Sequence, residues 1–182
     1  DWPKLKAEIA SAFAAQTMSY WIEKFEHSHA TKKINTIDFN NKNEIKLFSP
    51  ATVANVACGF DVLGLCLDTI GDEMALRKVD EKGVRITKIE GFKLPFETEL
   101  NVAGVSALAM YQELEPDCGF EIEIKKNIKP GSGIGSSAAS AVGSVYGVNA
   151  LLGSPLNKTQ LTQFAIKGEA LASGSEHADN IA

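Results

Sequence analysis

Hydrophobic and charged residues alternate along 120–125, where Phe120, Ile122 and Ile124 face one way. This period of two is typical of a half-buried strand. Farther along, apolar residues recur at helical spacing, at Ala138, Ala141, Val142, Val145 and Leu152. The chain between the two patterns is rich in glycine and serine. The sequence therefore predicts a strand, a glycine loop and a helix, in that order.

Similar alternation predicts three more strands, at 45–48, 74–79 and 84–89. The polar segment 80–83, which ends in glycine, is expected to form a hairpin turn between the last two. Together with the helices described next, these strands predict an α+β fold with a largely antiparallel sheet.

Helical spacing recurs in three further segments. One is 101–114, which Pro116 would end, and another contains Leu161, Phe164 and Leu171 after a turn at 153–155. Residues 3–26 also predict an amphipathic helix, followed by a polar connector. We therefore expect an N-terminal helical extension over 1–43 and a separate lobe over 44–182.

Composition narrows the class of protein. The chain has 182 residues, 45% of them hydrophobic, with a net charge of −5. No apolar run approaches the roughly 20 residues that span a bilayer, so no membrane association is expected. Two arginines and an acidic balance argue against a nucleic-acid surface. Three cysteines without a paired motif suit a reducing compartment, and we expect a cytoplasmic protein.

The segment 130–140 carries the strongest chemical signal because it lies between a predicted strand and a predicted helix and contains no acidic side chain. Gly131, Gly133 and Gly135 can adopt backbone angles that turn amide N–H groups toward an anion. The following helix adds its positive N-terminal end. Ser136 and Ser137 supply hydroxyls, either as helix caps or as ligands for Mg²⁺. Ordered flanks favour a phosphate loop over a flexible linker.

Two other phosphate-binding motifs fit this segment less well. A Walker A loop needs a lysine after the glycines, and none follows them. The segment 133–138 does satisfy the dinucleotide pattern G-x-G-x-x-A. That pattern also needs an acidic residue about 20 positions later, yet 139–168 has no Asp or Glu. An NAD-binding domain is therefore the weaker alternative.

Three motifs in order resemble the GHMP small-molecule kinases, and within them the homoserine kinase family. The segment P-G-S-G-I-G-S-S-A-A-S at 130–140 is similar to the second family motif, and 49–65 is similar to the first. The third segment begins at Glu169 and ends in H-A-D-N at 177–180. The resemblance implies a two-layer β-α-β lobe that uses ATP and Mg²⁺ to phosphorylate the hydroxyl of homoserine, a step toward threonine.

The resemblance also implies site residues. ATP binding falls to Asn101, Pro130, Gly131, Ser132, Gly133, Ile134, Gly135, Ser136, Ser137 and Ala138. Ser137 and Glu169 match the family's Mg²⁺ ligands. Homoserine would be bound by Asn55, Asp61, His177 and Asp179. Catalytic roles fall to Glu169, Asp179 and Asn180, with Asp179 as a base or, alternatively, with the proton passing directly to the γ-phosphate.

Purely structural interpretations of some of these residues remain open. Asn101 equally fits a plain helix N-cap, and Glu169 alone fits a solvated helix residue. Residues 1–43 resemble nothing in the family, and its C-terminal half is absent. We therefore expect a complementary C-terminal lobe or a homo-oligomer, and little activity from this chain alone. A non-catalytic nucleotide-binding module and a GHMP kinase for another small alcohol are the alternatives.

Overall fold

A computed structural model describes residues 43–54, 64–173 and 180–181. Its strands are β1 (Glu44–Ala54), β2 (Gly64–Val79), β3 (Gly83–Gly91) and β4 (Gly119–Lys126). Its helices are α1 (Val102–Leu114), α2 (Ser136–Leu151) and α3 (Lys158–Ser173), with a 3-10 turn at Thr98–Leu100. The predicted strand, glycine loop and helix are confirmed. The helix predicted over 3–26 lies outside the described residues.

The four strands form one sheet in the order β1-β2-β4-β3. β1 and β4 both run antiparallel to β2, while β3 runs parallel to β4. The expected α+β fold with a largely antiparallel sheet is therefore confirmed.

The predicted hairpin between β2 and β3 is wrong, because β4 lies between these strands. The short connection must therefore span two strand spacings, about 10 Å. Gly119, the first residue of β4, pairs with Val79 on one side and Gly83 on the other. A Cβ on Gly119 would lie 1.9 Å from the carbonyl oxygen of Glu81. The connection crosses the end of β4 there, at a position that only glycine accommodates.

The helices cover one face of the sheet, which makes the lobe two-layered. Phe120, Ile122 and Ile124 of β4 are at most 1% exposed and belong to the core under the helices. α2 approaches the sheet closely because Gly143 and Gly147 face Met74 and Leu76. Burial of this apolar face is the main force that holds helices and sheet together.

The other face of the sheet is charged. Arg77 of β2 donates to Glu44 of β1 and to Glu123 of β4, at 3.3 and 2.5 Å. Hydrogen bonding to Glu123 is the main cause of the raised pKa of Arg77. Such partly exposed pairs contribute at most about 1 kcal/mol each, so they fix strand register more than they add stability.

Among the helices described, none is both long and apolar enough to cross a membrane.

Candidate phosphate-binding site

The glycine loop has the backbone geometry that its sequence predicts. Gly131, Gly133 and Gly135 have φ values of 73°, 76° and 63°, in the left-handed region that favours glycine. Gly135 is the N-cap of α2 and brings no side-chain hydrogen bond to it. The amides of the first turn of α2 therefore meet no capping side chain, and the helix presents its positive end at the loop. This is the geometry that binds anions.

The loop is held in place by β1. The backbone amide of Thr52 donates to the carbonyl oxygen of Ile134 at 3.2 Å. A Cβ on Gly135 would lie only 2.2 Å from the Thr52 hydroxyl. Glycine at 135 is therefore required twice, for its positive φ and for this close approach. The first motif thus supports the second, a relation that the sequence did not indicate.

Ser137 and Glu169 are adjacent, as a shared metal would require. The Ser137 hydroxyl donates to Glu169 Oε1 at 2.9 Å, linking α2 to α3. Glu169 is only 8% exposed, so its interpretation as a solvated helix residue is wrong. Gly168 explains the burial, because a Cβ there would lie 1.9 Å from Ser106 Oγ of α1. The missing side chain lets α3 pack against α1 and brings Glu169 under the loop.

Hydroxyl and carboxylate oxygens are the hard ligands that Mg²⁺ prefers. Ser137 and Glu169 therefore fit this ion by chemistry and position. Within the described part of the chain, no group of three His, Cys, Asp or Glu side chains could hold a metal. Two protein ligands suffice for Mg²⁺, which takes its other ligands from phosphates and water. The metal role of the two residues stays a prediction.

A buried ion pair lies beneath the loop, and sequence reasoning missed it. Lys126, at the end of β4, is 2% exposed and donates to the carboxylate of Asp72, which is 0% exposed. Lys126 Nζ also donates to the Ser136 carbonyl and, at 2.8 Å, to the Ser140 hydroxyl. The signal was strand parity: position 126 shares the buried face of Ile122 and Ile124.

Burial lowers the pKa of Lys126, while the hydrogen bond to Asp72 and the negative charges of Asp72 and Glu169 oppose that shift. Lys126, Ser137 and Glu169 also line one cavity, so the ion pair and the Ser137–Glu169 contact lie close enough to interact electrostatically. Asp72 Oδ1 in turn accepts from the amides of Asn127 and Ile128, both at 2.9 Å. The carboxylate thereby fixes the backbone where β4 turns into the loop.

A cavity of about 350 Å³ lies between the glycine loop, Lys126 and Glu169. Its lining includes the polar residues Lys126, Ser137 and Glu169 and the apolar residues Leu94 and Pro95. Such a lining suits a ligand with one charged and one apolar part. A second concavity of about 340 Å³ lies around Val145, Tyr146 and Leu161. Its lining includes neither the glycine loop nor Ser137 and Glu169, so the phosphate site is not assigned there.

Asn101 lies at the edge of the first cavity and caps α1. Its Oδ1 accepts from the Ala103 amide at 3.0 Å, and its Nδ2 donates to the Pro95 carbonyl at 2.8 Å. The N-cap interpretation is therefore confirmed. A contact between Asn101 and a nucleotide base stays a prediction.

The remaining predicted site residues divide into two groups. Asn180 is described, and it lies beside the loop because the Thr52 hydroxyl donates to its carbonyl oxygen at 2.9 Å. Ile181 follows it into the core, 3% exposed. Asn55, Asp61, His177 and Asp179 lie outside the described residues.

Comparisons with known proteins agree on a family. Residues 101–182 match the GHMP kinases N terminal domain. The homoserine kinase of Xylella fastidiosa (strain M12) is 47% identical over 141 residues, which cover 76% of this chain and 44% of that protein. That of Methanococcus vannielii is 43% identical over 142 residues, covering 76% of this chain and 47% of that one. The chain thus spans just under half the length of these relatives.

A solved structure agrees with these matches. The crystal structure of homoserine kinase from Cytophaga hutchinsonii ATCC 33406 matches with a TM-score of 0.73 and 52% identity. The match covers 78% of this chain and 45% of that one. With the strand, glycine loop, helix and adjacent glutamate in place, the chain belongs to the GHMP kinases and carries the N-terminal domain of that family.

Proposed function

We propose that this lobe binds Mg-ATP for an enzyme that phosphorylates the hydroxyl of L-homoserine, giving O-phospho-L-homoserine. The observation that carries the proposal is the adjacency of the glycine loop and the Ser137–Glu169 pair around one cavity. Phosphoryl transfer needs positioning and electrostatic stabilisation more than covalent chemistry from the protein, and this site supplies both. Homoserine as the acceptor rests on the motif resemblance and on the names of the relatives.

The polyphosphate would lie on the amides of the glycine loop and the first turn of α2. Ser137 and Glu169 would hold Mg²⁺, which offsets negative charge on the phosphates when bound. The base would lie near Leu94 and Asn101. This arrangement would use both the polar and the apolar residues that line the cavity.

The acceptor would be bound on the side of the first and third motifs. In this proposal Asn55, Asp61, His177 and Asp179 hold homoserine, while Asn180 orients the reacting oxygen. The hydroxyl oxygen attacks the γ-phosphorus, and the bond from that phosphorus to the leaving ADP oxygen breaks. The hydroxyl proton goes either to the carboxylate of Asp179 or to the transferred phosphate.

The proposal extends to the setting of the protein. The product is an intermediate on the way to threonine, and a cytoplasmic enzyme has access to ATP. Residues 44–182 would form the ATP-binding lobe and 1–43 a separate extension. A complementary C-terminal lobe, or a second copy of the chain, would complete the acceptor side. Neither nucleic acid nor membrane is proposed as a partner.

Titration calorimetry tests the ligand first. The chain is titrated with Mg-ATP, Mg-ADP and NAD, and then with homoserine in the presence of Mg-ADP. We expect both adenine nucleotides to bind only with Mg²⁺ present, and NAD not to bind. NAD binding without a response to Mg-ATP would overturn the proposal. Nucleotide binding that homoserine never affects would favour a non-catalytic module.

A coupled ADP-release assay then tests the reaction. The chain is assayed alone and together with the C-terminal half of the Cytophaga hutchinsonii enzyme, with homoserine compared against mevalonate and galactose. We expect phosphorylation of homoserine above that of the other alcohols, and a higher rate with the added half. Preference for another alcohol would move the proposal to a different GHMP kinase activity.

A further inference from the structure

The buried pair of Lys126 and Asp72 has no role in the proposed chemistry so far. Removing two charges from water is costly, and an apolar pair of similar volume is often equally or more stable. Stability alone is therefore a weak explanation for an ion pair in the core. Its position beneath the glycine loop suggests another one.

We propose that Asp72 is a positioning residue of the nucleotide site, which acts through Lys126 to close the two ends of the glycine loop on each other. The inference rests on the proposed function, because it gives the loop a phosphate to bind. Asp72 touches neither nucleotide nor acceptor in this proposal. It fixes the groups that do.

The contacts form a clamp around the loop. At the loop's start, Asp72 Oδ1 accepts the amides of Asn127 and Ile128. At its end, Lys126 Nζ donates to the Ser136 carbonyl and the Ser140 hydroxyl of α2. Because Asp72 also binds Lys126, one carboxylate joins both ends of the loop to β2.

Glycine has more conformational freedom to lose than any other residue, so a loop with three glycines is costly to order. Gly131 and Gly133 are exposed, and a Cβ on either would meet no atom of the described residues within 4 Å. Ordering a flexible segment on binding costs affinity, and holding it in the bound conformation beforehand removes part of that cost. Clamped ends therefore predict tighter nucleotide binding.

The charges allow a sharp test against a competing explanation. If Lys126 instead acted as a direct phosphate ligand held back by Asp72, removing the negative charge would free the ammonium and tighten Mg-ATP binding. If Asp72 positions the loop, the same change releases the clamp and weakens binding. The two explanations predict opposite signs for Asp72→Asn, which keeps the size of the side chain and one acceptor oxygen.

The experiment compares the full chain with Asp72→Asn and with Asp117→Asn, an exposed aspartate that serves as the matched control. Mg-ATP affinity is measured by calorimetry, and hydrogen exchange of residues 129–139 is measured without ligand. We expect Asp72→Asn to bind about tenfold more weakly, because the ordering cost returns. We also expect Asp72→Asn to speed hydrogen exchange in the loop more than in β4, relative to the parent chain. Asp117→Asn should change neither.

Loss of one partner of a buried pair is strongly destabilising, so two further variants keep the test open. Ser140→Ala removes one contact of the Lys126 ammonium and should fold, with a smaller loss of affinity. Asp72→Leu with Lys126→Met replaces the pair by apolar residues. We expect it to fold and still to bind more weakly than the parent chain.

Outcomes separate the inference from the proposed function. Unchanged or tighter Mg-ATP binding by Asp72→Asn, or parental affinity in the apolar double variant, would overturn the positioning role. If the parent chain did not bind Mg-ATP, the proposed function would fail. The hydrogen-exchange data, measured without ligand, would still test whether Asp72 orders the loop. If Asp72→Asn left hydrogen exchange in the loop unchanged, Asp72 would not be the residue that orders the loop.

Discussion

Thr52 and Asn180 are joined by hydrogen bonds although 128 positions separate them in the chain. The Thr52 hydroxyl lies 2.9 Å from the carbonyl oxygen of Asn180 and 3.3 Å from its Oδ1. The Thr52 amide meanwhile donates to Ile134 of the glycine loop. One residue of β1 therefore connects all three sequence motifs.

Thr52→Val should lower turnover more than nucleotide binding. Valine keeps the branched shape but removes the donor to Asn180, and a lost hydrogen bond of about 1 kcal/mol misplaces that side chain. We expect kcat to fall roughly tenfold, with the KM for ATP nearly unchanged. Steady-state kinetics of the complemented enzyme measure both. Thr162→Val, which loses a hydroxyl bonded within α3, is the control. Equal effects of the two variants would contradict the expectation.

The Ser137–Glu169 contact predicts a metal-dependent defect. Glu169→Gln keeps a carbonyl oxygen for Ser137 but loses the charge that favours a divalent cation. We expect the apparent affinity for Mg²⁺ to fall about tenfold or more, with part of the activity restored at high Mg²⁺. Activity and Mg-ADP binding are titrated against Mg²⁺. Glu113→Gln, on the exposed face of α1, should behave as the parent chain. Parental Mg²⁺ dependence in Glu169→Gln would exclude Glu169 as a ligand.

Gly168→Ala should disturb the same site indirectly. The new Cβ would lie 1.9 Å from Ser106 Oγ and 2.7 Å from the Val102 carbonyl, so α3 must move away from α1. We expect about 1–3 kcal/mol of lost stability, as for other overpacked cores. We also expect a lower apparent affinity for Mg²⁺, because Glu169 moves with the helix. Denaturant unfolding and the Mg²⁺ titration measure the two effects.

Ser106→Ala provides the matched rescue. Among the residues that the structure describes, the buried Ser106 hydroxyl has no hydrogen-bond partner, so its removal should not destabilise the chain. Combined with Gly168→Ala it removes the nearest clash and should restore part of both losses. Gly147→Ala, which crowds Leu76 away from the site, should lower stability without changing the Mg²⁺ titration. If Gly168→Ala lowered stability but kept the parental Mg²⁺ titration, the packing of α3 on α1 would not be what positions Glu169.

The local elements were predictable because each has its own periodicity or breaker. Phe120, Ile122 and Ile124 alternate, the glycines interrupt, and helical spacing follows, all within the range of neighbouring residues. Strand order was not predictable in the same way. A short polar turn favours a hairpin between β2 and β3, whereas the strand pairing places β4 between them and crowds the connection at Gly119.

The site followed a similar division. The loop, Ser137 and Glu169 were identified from motifs, whereas Asp72 and Lys126 were missed because charged residues near strand ends are usually solvated. The alternation of buried and exposed residues along β2 would have identified Asp72, because it shares the buried face of Met74 and Leu76. Two opposite charges on the buried faces of adjacent strands should be examined as a pair. The contact of Thr52 with the loop depends on tertiary packing, which no spacing encodes.

Cys66 offers a test of the strand pair that carries Thr52, because these two residues are paired across β1 and β2. Burial is the main cause that raises the pKa of the Cys66 thiol from 9.0 to about 11, and the charge of Asp68 adds to it. A neutral thiol is a poor nucleophile. At a pH three units below the pKa only about one thiol in a thousand is ionised, so alkylation should be slow.

The pH dependence of alkylation checks this value. In a Cys58→Ser background, the tryptic peptide 47–77 carries one thiol, and mass spectrometry follows its reaction with iodoacetamide. We expect the rate to rise about tenfold per pH unit from about pH 8 to about pH 10, because the thiolate fraction keeps growing below the pKa. In guanidinium the rise should end near the ordinary value of 9.0. The same early plateau in the folded chain would mean that Cys66 is open to solvent and that the end of the β1–β2 pair, with Thr52 on it, is not packed as described.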